Sequence, residues 1–169
     1  MRDNDGSQFD RLPATDEERT VRGRATRAAV VDFFTDRYGI PAPTFGEYTF
    51  WEKGAGKVWA LAPDADLDAP VEVESLGLPV LRTRQEHWKP TTNAVQRFGD
   101  AASRNVCHLD GDLAARFVAG EDVEPDWDGD WGYLIVVHAL AGSPEPIGVG
   151  LYLDGELRSV VPKARQLPR

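Results

Sequence analysis

The chain has 169 residues, 41% of them hydrophobic, which suits one medium domain or two small interlocked ones. Acidic residues number 28 and basic ones 19, for a net charge of −9, with Asp (17) ahead of Glu (11) and Arg (15) far ahead of Lys (4). A single cysteine excludes an internal disulfide and any multi-cysteine metal site, and no apolar run approaches the roughly 18 residues that a membrane span needs.

The expectation is therefore a cytoplasmic protein with no membrane partner. An acidic, Asp-heavy, Lys-poor surface is what keeps a protein hydrated in concentrated salt, so the composition points to a halophilic source. A high-GC genome, which also favours Arg, Ala and Asp over Lys, is the alternative origin of the bias.

Residues 1–14 carry no periodicity and read as a mobile N-terminal tail. Thr15-Asp16-Glu17-Glu18 fits a capping box, predicting a helix to about Tyr38 with Ala29, Val30, Phe33 and Phe34 on one face. Gly39 and Pro41 stop it. Tyr48–Glu52 and Lys57–Leu61 predict a hairpin around Lys53-Gly54-Ala55-Gly56, followed by an acidic loop from Asp64 to Glu74. Val71–Glu74 and Pro79–Thr83 look like strands, and Thr91 to Phe98 like a short helix closed by Gly99.

Near residue 100 the pattern restarts. Asn105–Leu109 reads as a strand, Asp110 as the cap of a helix Leu113–Ala119, and Gly120 as its end. A Trp-rich acidic stretch leads to the strongest strand, Gly132–Leu140. Pro146–Leu153 and Glu156–Val161 predict a hairpin across Asp154-Gly155. The fold class is α+β, with an N-terminal α/β module over 15–99 and a second unit over 100–169.

The catalytic inventory is thin. His87, His108 and His138 lack metal-ligand spacing. Gly54-Ala55-Gly56-Lys57 fails as a Walker loop, with Trp51 where its first glycine belongs and Val58 where Ser or Thr belongs. Asp126, Asp128 and Asp130 have EF-hand spacing, but Trp131 replaces the turn glycine and Val137 the bidentate Glu, so a solvated acidic loop is the better reading. Cys107 alternates within a strand, where a lone cysteine is more often a small core residue than a nucleophile. No catalytic residue, metal or cofactor is expected.

Residues 82–97 differ from the rest. They hold Arg82, Arg84, Lys89 and Arg97, one acid (Glu86), and the aromatic pair His87 and Trp88, inside an otherwise acidic chain. Arg pairs bidentately with phosphate and stacks on bases, and Trp stacks, so these residues are the candidate RNA contacts. The competing reading pairs the arginines with local acids and buries Trp88. The tail repeats the signal weakly, with Arg158, Lys163, Arg165 and Arg169.

Pro146-Ile147-Gly148-Val149-Gly150, then Asp154-Gly155-Glu156-Leu157-Arg158 and Val161-Pro162-Lys163-Ala164-Arg165, resemble the closing strands of the PUA-like domain in RNA cytosine-5 methyltransferases of the Sun/Fmu family. Ala164 stands where that family usually has glycine. Arg104-Asn105-Val106 through Gly120-Glu121-Asp122 is similar to the opening of the same domain, with Ala119 in place of a base. Upstream, Tyr38-Gly39-Ile40-Pro41 and Phe50-Trp51-Glu52-Lys53-Gly54 resemble the small α/β module that often precedes a PUA domain, and Lys89-Pro90-Thr91-Thr92 is similar to its exit. The family's S-adenosylmethionine domain and its Pro-Cys motif have no counterpart, since Cys107 follows Val106.

The resemblance implies a PUA-like β pseudobarrel over 100–169 and RNA docking without methyl transfer. The expected function is binding of structured RNA, either rRNA during ribosome assembly or tRNA. Expected partners are RNA and ribosomal particles, or an RNA-modifying enzyme. The alternative is a non-catalytic docking subunit of such an enzyme, for example an RNA cytosine-5 methyltransferase.

Overall fold

A computed structural model describes residues 1–62 and 77–168. The expected acidic loop and the expected strand Val71–Glu74 lie outside those residues. The described residues form two sheets and three α-helices, a mixed α+β fold. The first sheet runs β1 (Asp10–Arg11), β2 (Thr49–Glu52), β3 (Lys57–Leu61), β4 (Leu78–Arg82) and β5 (Lys89–Pro90), antiparallel throughout. In the second sheet β6 (Val106–His108) lies parallel to β7 (Gly132–Leu140), which pairs antiparallel with β8 (Ser143–Leu153), and β8 with β9 (Glu156–Ser159). The parallel pair needs a crossover, which α3 (Gly111–Val118) begins. Where the resemblance implies a pseudobarrel, this sheet is open, with β6 and β9 at its edges.

The N-terminal region carries one correction, to the start of the first helix. Residues before it also have partners. Asp10 and Arg11 pair with Glu52 and Trp51, Leu12 is buried, and the Arg2 amide donates to the Thr20 carbonyl at 3.0 Å. The first helix does not start at Thr15. Residues Asp16–Glu18 make one 3-10 turn with no side-chain cap from Thr15, and the Glu18 carboxylate accepts from the Ala14 amide. The helix proper, α1, is Arg27–Tyr38, and Thr26 caps it by accepting from the Ala29 amide at 3.0 Å.

The reason is burial. Residues 19–26 deliver Val21 and Arg24 to the interior, turning at Gly23 with φ +72°, a conformation no continuous helix allows. From Thr26 the pattern takes hold: Val30, Phe34 and Tyr38 bury one face at four-residue spacing, and Gly39 in the left-handed region closes the helix.

The sequence boundary near residue 100 falls between the sheets, yet the largest core crosses it. Phe34, Phe45, Phe50 and Leu81 share one cluster with Ile135, Val137 and Val149 of the second sheet. Helix α2 (Thr92–Phe98), capped by the Thr91 hydroxyl, packs on both β4 and β8. On β7 the alternate residues Leu134 and Val136 join a second cluster with Cys107 and Phe117. Both faces of β7 are thus buried over Leu134–Val137, which explains why that stretch reads as an unbroken apolar run.

The Gly148-Val149-Gly150 pattern has a packing cause. Both glycines face α3, and a Cβ on Gly150 would come within 2.5 Å of Leu157 Cδ1 and 3.2 Å of Phe117 Cε2. The bare strip on β8 is what lets Phe117 and Leu157 close over the sheet. The two hairpin turns of this sheet, Ala141-Gly142 and Asp154-Gly155, place both central residues at positive φ, matching the strand twist.

Candidate nucleic-acid interface

Strands β4 and β5 put Arg82 directly opposite Lys89 in the register. Residues paired across two antiparallel strands share a face, and like charges there are destabilising. Neither has a carboxylate partner among the described residues. The Arg82 guanidinium goes further: its Nη1 is buried and has no hydrogen-bond partner among the described residues. Burial lowers the pKa of Arg82, and burial followed by the Arg82 charge lowers that of Lys89. Both cations are half-buried.

They line a hollow of about 190 Å³ with Arg165, Thr92 and Asn93. Arg165 stands in a 3-10 turn (Lys163–Arg165) after Pro162, and its guanidinium is fixed by α2, donating to Gln96 Oε1 at 3.0 Å and to Asn93 Oδ1. Three cations therefore converge from the first sheet and from the C-terminal turn. A tetrahedral oxyanion, which accepts several hydrogen bonds and cancels the repulsion, is the chemistry that fits such a hollow.

A second concavity of about 490 Å³ lies beside it, lined by His87, Trp88, Trp131 and Tyr133 with Glu86 and Asp130. Trp88 is half-buried, its ring 5.7 Å from that of Phe33, and it packs against the main core. The outward aromatic is Trp131, 57% exposed, with the His87 ring edge-on at 5.1 Å. Trp131 and Tyr133 were not among the sequence candidates. The available signal was a tryptophan set between Asp130 and Gly132, outside any apolar periodicity.

Of the nine candidate residues that the structure describes, it groups Arg82, Lys89 and Arg165 at the hollow, and His87 and Trp88 at the second concavity. The others stand apart. Arg84 is exposed, with its backbone over Gly56. Arg97 donates to the Tyr48 hydroxyl at 3.1 and 2.9 Å, Arg158 pairs with Glu156 at 3.5 Å, and Lys163 is exposed in the C-terminal turn. Among the described residues no three His, Cys, Asp or Glu side chains gather to hold a metal ion, and no helix is long and apolar enough to cross a membrane.

The class defined so far is a mixed α+β protein with a cationic hollow at the seam of two sheets. Residues 1–77 match the model of DUF7122, a family of unknown function. That stretch spans β1 to β3 and α1 and stops short of β4, where the cationic hollow begins. No curated protein matches the chain.

Proposed function

We propose that this protein binds structured RNA, rRNA during ribosome assembly or tRNA, without catalysing a reaction of its own. The observation that carries the proposal is the Arg82–Lys89 pair: two half-buried cations face each other across a strand pair, one with a nitrogen unpartnered among the described residues. A phosphate of the RNA backbone is the occupant that removes both penalties, and Arg165 completes the grip. Residues 100–169 serve as the PUA-like docking unit. Supporting that assignment are the Gly148/Gly150 strand, the Asp154-Gly155 turn and the basic turn after Pro162, in the order the resemblance requires.

Three of the four lysines lie over aromatic rings: Lys53 over Phe9, Lys57 over Trp59 and Lys89 over Tyr133. Cations seated on rings suit a salt-rich cytoplasm, where the Debye length is only about 3 Å at molar salt and distant attraction is lost.

The test is titration of tRNA and rRNA fragments into the wild type and Arg82→Glu at several salt concentrations. Saturable binding to the wild type, lost in the variant at a nearly unchanged melting temperature, is the expected result. Undiminished binding by a folded Arg82→Glu protein overturns the proposal. A stoichiometric protein that co-purifies in place of RNA points to the docking-subunit function instead.

A further inference from the structure

The concavity beside the hollow has a chemistry of its own. Its walls are largely aromatic, from Phe33, Trp88, Trp131 and Tyr133, and its acceptors are the carboxylates of Glu86 and Asp130. Carboxylates repel phosphate, so this space does not suit the group that fits the neighbouring hollow. Arg37 also lines it, but its guanidinium is committed: Nη2 donates to the carbonyls of Trp131 and Tyr133, at 2.9 Å each, and Nη1 lies 4.0 Å from Asp130.

Those bonds, with the Trp127 indole donating to the Asp130 carbonyl at 2.9 Å, pin the backbone that carries Trp131. An exposed indole is thus held on a fixed backbone, its neighbour His87 at right angles. At about 490 Å³ the space falls within the range of small-molecule pockets and exceeds what one planar base needs. It neighbours the cationic hollow at one contact: Lys89, which lines the hollow, lies with its ammonium 5.9 Å from the centre of the Tyr133 ring, which lines the cleft.

From this geometry we propose that the cleft holds one unstacked guanine base of the bound RNA, a step that rests on the RNA-binding function above. The aromatic walls supply stacking, which every base accepts. The carboxylates supply selection, because the pairing edge of guanine offers two adjacent N–H donors, on N1 and N2, and no other standard base does. The phosphate beside that nucleotide lies at Arg82 and Lys89.

The experiment compares three pentanucleotide RNAs, UUGUU, UUAUU and UUUUU, binding to the full chain by fluorescence anisotropy. The wild type is measured beside Trp131→Ala and Glu86→Gln, both at exposed positions, with folding checked by circular dichroism. The expected wild-type result is about tenfold tighter binding of UUGUU than of UUUUU, the scale of one hydrogen bond to a charged acceptor. Trp131→Ala weakens binding of all three RNAs, because every base stacks there, and Glu86→Gln brings UUGUU down to the level of UUAUU. Equal affinity for all three RNAs, a guanine margin that survives Glu86→Gln, a Trp131→Ala variant that binds all three as the wild type does, or adenine bound as tightly as guanine by the wild type overturns the guanine site alone. Binding of none of the three, together with no binding of tRNA or rRNA fragments, overturns the RNA-binding function as well.

Discussion

Arg24 and Glu52 form an ion pair inside the protein, Nε donating to Oε2 at 3.0 Å, with the two side chains 6% and 1% exposed. The same carboxylate oxygen accepts from Asn4 Nδ2 at 2.5 Å, and the other arm of Arg24 reaches Asp10 Oδ2 at 3.0 Å. This network ties the N-terminal segment to β2, which is why residues without periodicity take a defined path. It also explains why the chain between Thr15 and Thr26 is not helical: the guanidinium has to arrive from Gly23–Arg24, at the turn.

Removing one member of such a pair strands a buried charge. Glu52→Leu is expected to lower stability by about 3–5 kcal/mol in urea unfolding, whereas Arg24→Met combined with Glu52→Leu recovers most of the loss. A double variant as unstable as the single one would show that the network contributes more than charge compensation.

Arg82 is expected to trade stability for binding. An unpartnered buried donor costs about 1–3 kcal/mol, so Arg82→Met should raise the unfolding free energy by roughly 1 kcal/mol while weakening RNA binding. Denaturation curves alongside RNA titrations check both signs in one preparation. A loss of stability would mean that the guanidinium is held by contacts worth more than its desolvation.

Gly150→Ala is expected to destabilise by about 1–3 kcal/mol, because the added methyl meets Leu157 at 2.5 Å. Gly148→Ala, whose nearest neighbour would be Val161 Cγ2 at 3.2 Å, should cost less. Thermal melts rank the two variants, and a harmless Gly150→Ala would remove the packing account of the Gly-x-Gly strand.

Burial pushes the Cys107 thiol from 9.0 up to about 11. A group whose pKa is raised on folding keeps its proton longer in the folded state, so its contribution is fully present below pH 9 and is lost as pH rises through about 11. Stability should therefore fall over that window, by on the order of 2 kcal/mol from this residue, and Cys107→Ala should flatten the slope. The thiol should also resist a disulfide reagent at pH 8 until the protein is unfolded.

Much of the fold was legible because local rules act alone there. Tyr133–Val137 within Gly132–Leu140 are apolar without a break, Asp154-Gly155 can adopt positive φ cheaply, and Thr91 sits one residue before a helix that its hydroxyl caps. The basic segment 82–97 was visible as charge of the wrong sign for this chain. Sequence alone thus determined the class of elements, most of their borders and the neighbourhood of a cationic site.

Only the tertiary structure decided which cations act together. Arg82 and Lys89 meet because β4 and β5 pair in one register, and Arg165 joins them because α2 packs between the two sheets and holds its guanidinium. Arg84 and Arg97, equally basic in the same segment, are carried elsewhere. The roles of two tryptophans were likewise set by packing: Trp88 is turned against Phe33, while Trp131 is left outward by a backbone pinned to Arg37. Charge and aromaticity belong to a residue, but convergence and exposure depend on contacts among distant residues, such as Arg165 with Gln96 of α2, and those exist only once the two sheets have closed on a common core.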